Sequence, residues 1–117
     1  MASAARADYA AAAVAVLTGT GHEGRAYELS GDVAWSYPEL AAVVAEITGT
    51  EVRYQDLPAD EHRAALTGAG LPAEVADLLV AIDADVAAGR LADTPGELAT
   101  LLGRPTTPLA DTVRALL

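Results

Sequence analysis

Two histidines, four tyrosines and one tryptophan are the aromatic side chains of this sequence, set among seventeen carboxylates and no cysteine. Without a thiol, disulfides, thiolate nucleophiles and cysteine-ligated zinc are excluded. What remains is acid–base and hydrogen-bonding chemistry, for which Tyr54, Asp56, His62 and Asp83 are the candidate groups once burial tunes them. The most site-like stretch is Tyr54-Gln55-Asp56-Leu57-Pro58, with Trp35 as a further ligand-contacting candidate. Asp56 also suits the cap of a following helix. Asp83 interrupts an apolar row; buried there it needs a partner, and Arg63 or Arg90 is available. Asp85, two residues on, falls on another face.

Metal binding has little support. His22-Glu23 and Asp60-Glu61-His62 hold ligand-type residues, but spacing of the HExxH kind is absent. The glycine cluster Gly19-Thr20-Gly21-His22-Glu23-Gly24 follows a helix instead of opening one, so it reads as a cap and turn and not as a phosphate loop. No GxGxxG occurs. The expectation is that this chain alone binds neither dinucleotide nor metal.

The elements that must position these residues follow from periodicity. Tyr9, Ala13, Val16 and Leu17 share one face of a helix over 4–17. Residues 25–29 and 51–57 alternate as short strands. Between them, Ser36 and Glu39 form a capping box for a helix lined by Leu40, Val43, Val44 and Ile47, which stops at Gly49. Strand, helix and strand at this spacing predict a β-α-β unit with two parallel strands and a right-handed crossover. Trp35, Tyr54 and Asp56 then lie at strand ends, where open α/β sheets gather their ligands. Helices follow over 58–67 and 72–88, the second with Val75, Leu78, Leu79, Ile82 and Val86 on its inner face. Thr94, Pro95 and Glu97 read as a capping box for a helix to Leu102, and Thr107 as the cap of a last helix opened by Pro108. The fold class expected is α/β, one β-α-β unit plus a helical lobe, in a single domain over 1–117. Two parallel strands make an incomplete sheet, which points to a missing preceding domain or a partner chain.

A net charge of −10 with seven scattered arginines and no lysine excludes a nucleic-acid surface and disfavours anionic membranes. Residues 10–17 are apolar, but too short and wrongly flanked for a signal peptide or a membrane span. Absence of cysteine fits a reducing cytoplasm.

Arg6-Ala7-Asp8-Tyr9-Ala10, the helix end Val16-Leu17-Thr18-Gly19 and Tyr27-Glu28-Leu29-Ser30-Gly31 carry a family likeness. It continues through Trp35 to Leu40, Val52 to Pro58, Leu91 to Leu98 and Leu102 to Leu109. Together, in this order, they resemble the C-terminal portion of NmrA-like atypical short-chain dehydrogenase/reductases of the NAD(P)H:quinone oxidoreductase type. The resemblance implies a Rossmann-type reductase whose N-terminal half holds NADP or NAD through a glycine-rich loop. It also implies that this part shapes the pocket of a small-molecule substrate. That N-terminal half lies outside this sequence, so no catalytic or cofactor motif transfers to any position here.

Three readings follow. The chain is the substrate-side part of a reductase, incompetent for hydride transfer alone. Or it is a stand-alone small-molecule binder or cofactor-independent isomerase, cyclase or lyase. Or it is an interaction module that covers its exposed edges as a homodimer.

Overall fold

The structure, a computed structural model, describes all 117 residues. It contains six α-helices: α1 (Arg6–Thr18), α2 (Tyr37–Thr48), α3 (Ala59–Gly68), α4 (Ala73–Ala87), α5 (Glu97–Leu102) and α6 (Leu109–Leu116). They fall into two compact units, one of Met1–Arg53 with Ala92–Leu117 and one of Tyr54–Leu91. In the first unit α1 packs on α5 and α2 on α6; in the second, α3 packs on α4.

There is no β-strand, which overturns the β-α-β unit and its two parallel strands. Alternation identifies a run that would suit a pleated surface, but a strand exists only through hydrogen bonds to a neighbour. Segment 25–29 pairs with no strand, and 51–57 is divided between the two units after Arg53. Backbone groups here turn elsewhere. The Glu28 amide donates to Glu97 Oε2 at 2.6 Å, and the Ser30 hydroxyl donates to the Asp93 carbonyl at 2.8 Å.

Residues 31–35 instead lie along the first residues of the chain. The Met1 nitrogen donates to the Trp35 carbonyl (2.6 Å), the Trp35 amide to the Met1 carbonyl (2.9 Å) and the Gly31 amide to the Ala2 carbonyl (2.9 Å). Gly31 is buried, and a Cβ there would run into the Ser3 carbonyl oxygen. The requirement is for space and not for a left-handed backbone. Gly31→Ala is therefore expected to cost about 1–3 kcal/mol through forced overpacking, measured as a shift in urea midpoint at unchanged slope.

Local signals were accurate where a helix closes on itself. Ser36 caps α2: its Oγ accepts from the Glu39 amide, while Glu39 Oε2 accepts from the Ser36 amide at 2.7 Å. Gly49 ends this helix in the left-handed conformation at φ 66°. Gly19 also ends a helix, but at φ −89°; a side chain there would crowd the Ala15 carbonyl and the His22 ring.

Two expected caps form differently. Gly96, at φ 78°, precedes α5 without a side-chain cap, because Glu97 is spent on the Glu28 amide. Pro108 precedes α6, because the Thr107 hydroxyl donates to Asp8 instead. In both, a long-range tie displaces a local one.

Helix faces also depart from the periodic reading. On α4, Val75, Leu78 and Ile82 are exposed, and the fully buried residue is Ala76. An apolar residue occupies most positions of α4, so periodicity cannot single out one face. Alanine at the helix contact allows close approach. On α1 the buried residues are Asp8 and Ala12, while Ala13 and Leu17 are exposed. No helix is long and apolar enough to cross a membrane.

Candidate functional site

Four of the sequence-derived site residues meet in the second unit. Helices α3 and α4 form a hairpin through a turn containing Gly70 at φ 93°. Proline at 58 and 72 sets the entry to each helix, where the missing N–H costs nothing. His62 lies on the first turns of α3 and Asp83 late on α4, and His62 Nδ1 stands 3.6 Å from Asp83 Oδ2. Both side chains are about two-thirds covered, at 27 % and 34 % exposure. Asp83 thus has a histidine beside it, while the arginines expected as its partners pair with other carboxylates. Arg63 forms a forked pair with Asp77, and Arg90 Nη1 bonds Asp85 Oδ1 at 2.7 Å.

Tyr54 and Asp56 join this group from the segment before α3. The phenol donates to Asp56 Oδ1 at 3.2 Å, as i, i+2 spacing allows in extended chain. Burial, the charge and hydrogen bond of Asp56, and the charge of Asp83 together push the Tyr54 phenol above its ordinary range. The Tyr54 phenol is therefore neutral at physiological pH and able to donate or accept a hydrogen bond. Leu57 is half-buried beside it in sequence. The cluster offers one imidazole, one phenol and two carboxylates, a set suited to orienting a carbonyl or hydroxyl and to holding a proton near it.

Trp35, the remaining candidate, belongs to the first unit. Its indole N–H donates to Ser3 Oγ at 3.1 Å, and its ring meets Tyr37 edge-on at 6.0 Å. It walls a cavity of about 470 Å³ together with Ser3, Asp32, Val33, Thr106 and Leu109.

That cavity borders a polar lock absent from the sequence reading. Asp8 is fully buried and accepts from Arg104 Nη2 (2.7 Å), the Thr107 amide (2.7 Å) and the Thr107 hydroxyl (3.0 Å). Burial by itself would raise the Asp8 pKa. The Thr107 amide, the Arg104 guanidinium and the Thr107 hydroxyl overcome it and hold the carboxyl below its ordinary range. Asp32 makes a second clasp: its amide donates to Thr106 Oγ1 (3.0 Å) and its Oδ2 accepts from the Thr106 amide (2.7 Å). The available signal was Asp8 itself, the lone carboxylate of an otherwise alanine-rich helix.

His22 hydrogen-bonds Tyr27 (Nδ1 to Oη, 2.7 Å), while Glu23 is exposed. No three His, Asp or Glu side chains converge as a metal site. The helix N-termini carry acids of their own. Phosphates bind where free amides and the dipole face them at a helix N-terminus. Every helix here carries a carboxylate in its first turn: Asp8, Glu39, Asp60 with Glu61, Glu74, Glu97 and Asp111.

No protein-family model matches the chain. Among individual proteins, quinone oxidoreductase 2 of Escherichia coli K12 is 47 % identical over 116 residues, covering 99 % of this chain and 41 % of that protein. NAD(P)H azoreductase of Xenophilus azovorans is 34 % identical over 108 residues, covering 92 % and 38 %. The crystal structure of the E. coli NADPH-dependent quinone oxidoreductase complexed with NADPH superposes with a TM-score of 0.95 at 46 % identity, covering 99 % of this chain and 41 % of that one. Triphenylmethane reductase of Citrobacter sp., complexed with NADP(H), gives 0.95 at 34 % identity, covering 100 % and 41 %. The chain thus spans about two-fifths of the length of the relatives it matches, at their C-terminal end. It is homologous to the C-terminal portion of quinone oxidoreductase 2 and of related NmrA-like, NADPH-dependent reductases.

Proposed function

We propose that this chain is the substrate-side portion of an NADPH-dependent reductase acting on quinones or similarly flat acceptors in the cytoplasm. The observation that carries this reading is the match of nearly the whole chain to the E. coli reductase that was crystallised with NADPH. In this reading Tyr54, Asp56, Leu57, His62 and Asp83, all of the second unit, contact or orient the substrate. The neutral Tyr54 phenol on the segment entering α3 and the His62–Asp83 pair bridging α3 and α4 meet the oxygen that gains charge when the acceptor is reduced. The nucleotide is held by the other three-fifths of the reductase. The carboxylates at each helix start support the view that this chain alone binds none.

The test is a chimaera in which the preceding part of E. coli quinone oxidoreductase 2 is joined to this chain. It is expected to reduce a naphthoquinone with NADPH. Tyr54→Phe and His62→Gln should raise the quinone KM severalfold and leave the NADPH KM unchanged. The isolated chain should leave NADPH fluorescence unaltered. Micromolar NADPH binding by the isolated chain, or unchanged quinone KM in both variants, would overturn the reading.

A further inference from the structure

The cavity of about 470 Å³ beside Trp35 is walled only by residues of the first unit, from the start of the chain, the segment leading into α2 and the segment leading into α6. Its volume suits a small organic molecule. Most of the wall is apolar, formed by alanines, prolines, Val33, Trp35 and Leu109. The Trp35 N–H is taken by Ser3 Oγ and Tyr37 meets the ring edge-on, so the indole is fixed and offers a ligand π surface instead of a donor. Charge in the wall is of one sign: Asp32 and Glu39 line it, and no arginine or histidine does. Each of these carboxylates is held by one oxygen only. Asp32 Oδ2 accepts from the Thr106 amide, and Glu39 Oε2 accepts from the Ser36 amide and hydroxyl; Asp32 Oδ1 and Glu39 Oε1 accept no hydrogen bond. The bonds from Ser36 also hold the Glu39 carboxyl below its ordinary range, so it is charged at neutral pH.

We propose that this cavity binds an aromatic organic cation, an arylalkylammonium compound being the simplest form. The ring of the ligand lies against the apolar wall and Trp35, where an indole face also attracts positive charge. Its ammonium donates to the open oxygens of Asp32 and Glu39, a charge-assisted contact stronger than one between neutral groups. An anion of the same shape meets two carboxylates with no basic residue to offset them, so the site selects by charge as well as by size. The net charge of −10 draws cations toward the surface. No residue of the reductase site proposed above lines the cavity, so the two readings stand or fall separately.

Trp35 is the one tryptophan of the chain, so its fluorescence reports on this cavity. The chain is titrated with 2-phenylethylammonium, 2-phenylethanol and 3-phenylpropanoate, which share a ring and differ in charge, and each affinity is checked by calorimetry. The cation is expected to give a saturable change in Trp35 emission with a Kd below about 1 mM. The alcohol should bind at least about tenfold more weakly and the carboxylate not at all. Asp32→Asn keeps an oxygen for the Thr106 amide and Glu39→Gln keeps the capping box, so both should fold, as urea midpoints will show; each should weaken the cation roughly fivefold. Asp56→Asn, in the second unit, should leave its affinity unchanged. No saturable change, equal binding of the alcohol or the carboxylate, or full affinity in both folded variants overturns the proposal. So does a loss in Asp56→Asn as large as that in Asp32→Asn, which would move the cation to the Tyr54 cluster. If neither variant folds, the three ligands on the unaltered chain decide by themselves.

Discussion

Asp8→Ala is expected to destabilise the first unit by about 3 kcal/mol, with a loss of about 10 °C or more in its thermal midpoint. The carboxylate has no solvent exposure and gathers three donors from residues nearly a hundred positions later. Its removal leaves the Thr107 amide and hydroxyl without acceptors next to a void. Arg104 is half-exposed and regains water, which keeps the loss below that of a fully buried pair. Asp8→Asn, which keeps the shape and one acceptor but not the charge, should lose less. Both are measured by urea denaturation followed by circular dichroism.

The same carboxylate sets a pH dependence. Its folded pKa lies below its ordinary value, so ionised Asp8 contributes stability above the unfolded pKa of about 4. That contribution is lost as pH falls through the lower folded value. Wild-type stability should therefore fall steeply on acidification below about pH 4, and the slope should flatten in Asp8→Asn. An unchanged slope would show that Asp8 is not ionised in the lock.

Leu98→Ala is expected to cost a comparable amount, about 3 kcal/mol within the range for large-to-small core changes. Leu98 is the largest completely buried apolar side chain, on the six-residue helix α5 that packs against α1. So short a helix has little stability of its own and is held by burial on its neighbour. Its neighbours cannot collapse into the space freely, because α1 is held by Asp8 and the α5 start by Glu97. Leu98→Met, which conserves volume, should cost less than about 1.5 kcal/mol. The contrast between the two variants, read from urea midpoints, separates packing from helix propensity.

The candidate residues stand out in the sequence because they are unusual in this composition. In a chain rich in alanine and leucine, a tyrosine, a histidine and an aspartate that breaks an apolar row stand out. Tyr54, Asp56, His62 and Asp83 come together, and the ring beside Asp83 is that of His62. Arginine is the commoner partner for a carboxylate, but which side chain meets Asp83 depends on how α3 lies against α4. The family likeness was legible for a different reason: it rests on the order of short motifs along the chain, which no contact needs to reveal.

What the sequence determined by itself is whatever a few neighbouring residues settle among themselves. The helix over 37–48, its Ser36–Glu39 box and its Gly49 stop are of this kind, as are the proline-opened starts of α3, α4 and α6. Only the tertiary structure decided the rest. Runs 25–29 and 51–57 carry strand-like alternation, but with no neighbour to bond they are not strands. Thr107 and Glu97 have the chemistry of local caps, yet distant groups claim them, Asp8 in one case and the Glu28 amide in the other. Asp8 itself, spaced like any first-turn carboxylate, becomes the most deeply held charge in the chain because Arg104 and Thr107 close over it. Hydrogen bonds between segments far apart in sequence form only once packing has brought them together, and local spacing carries no record of them.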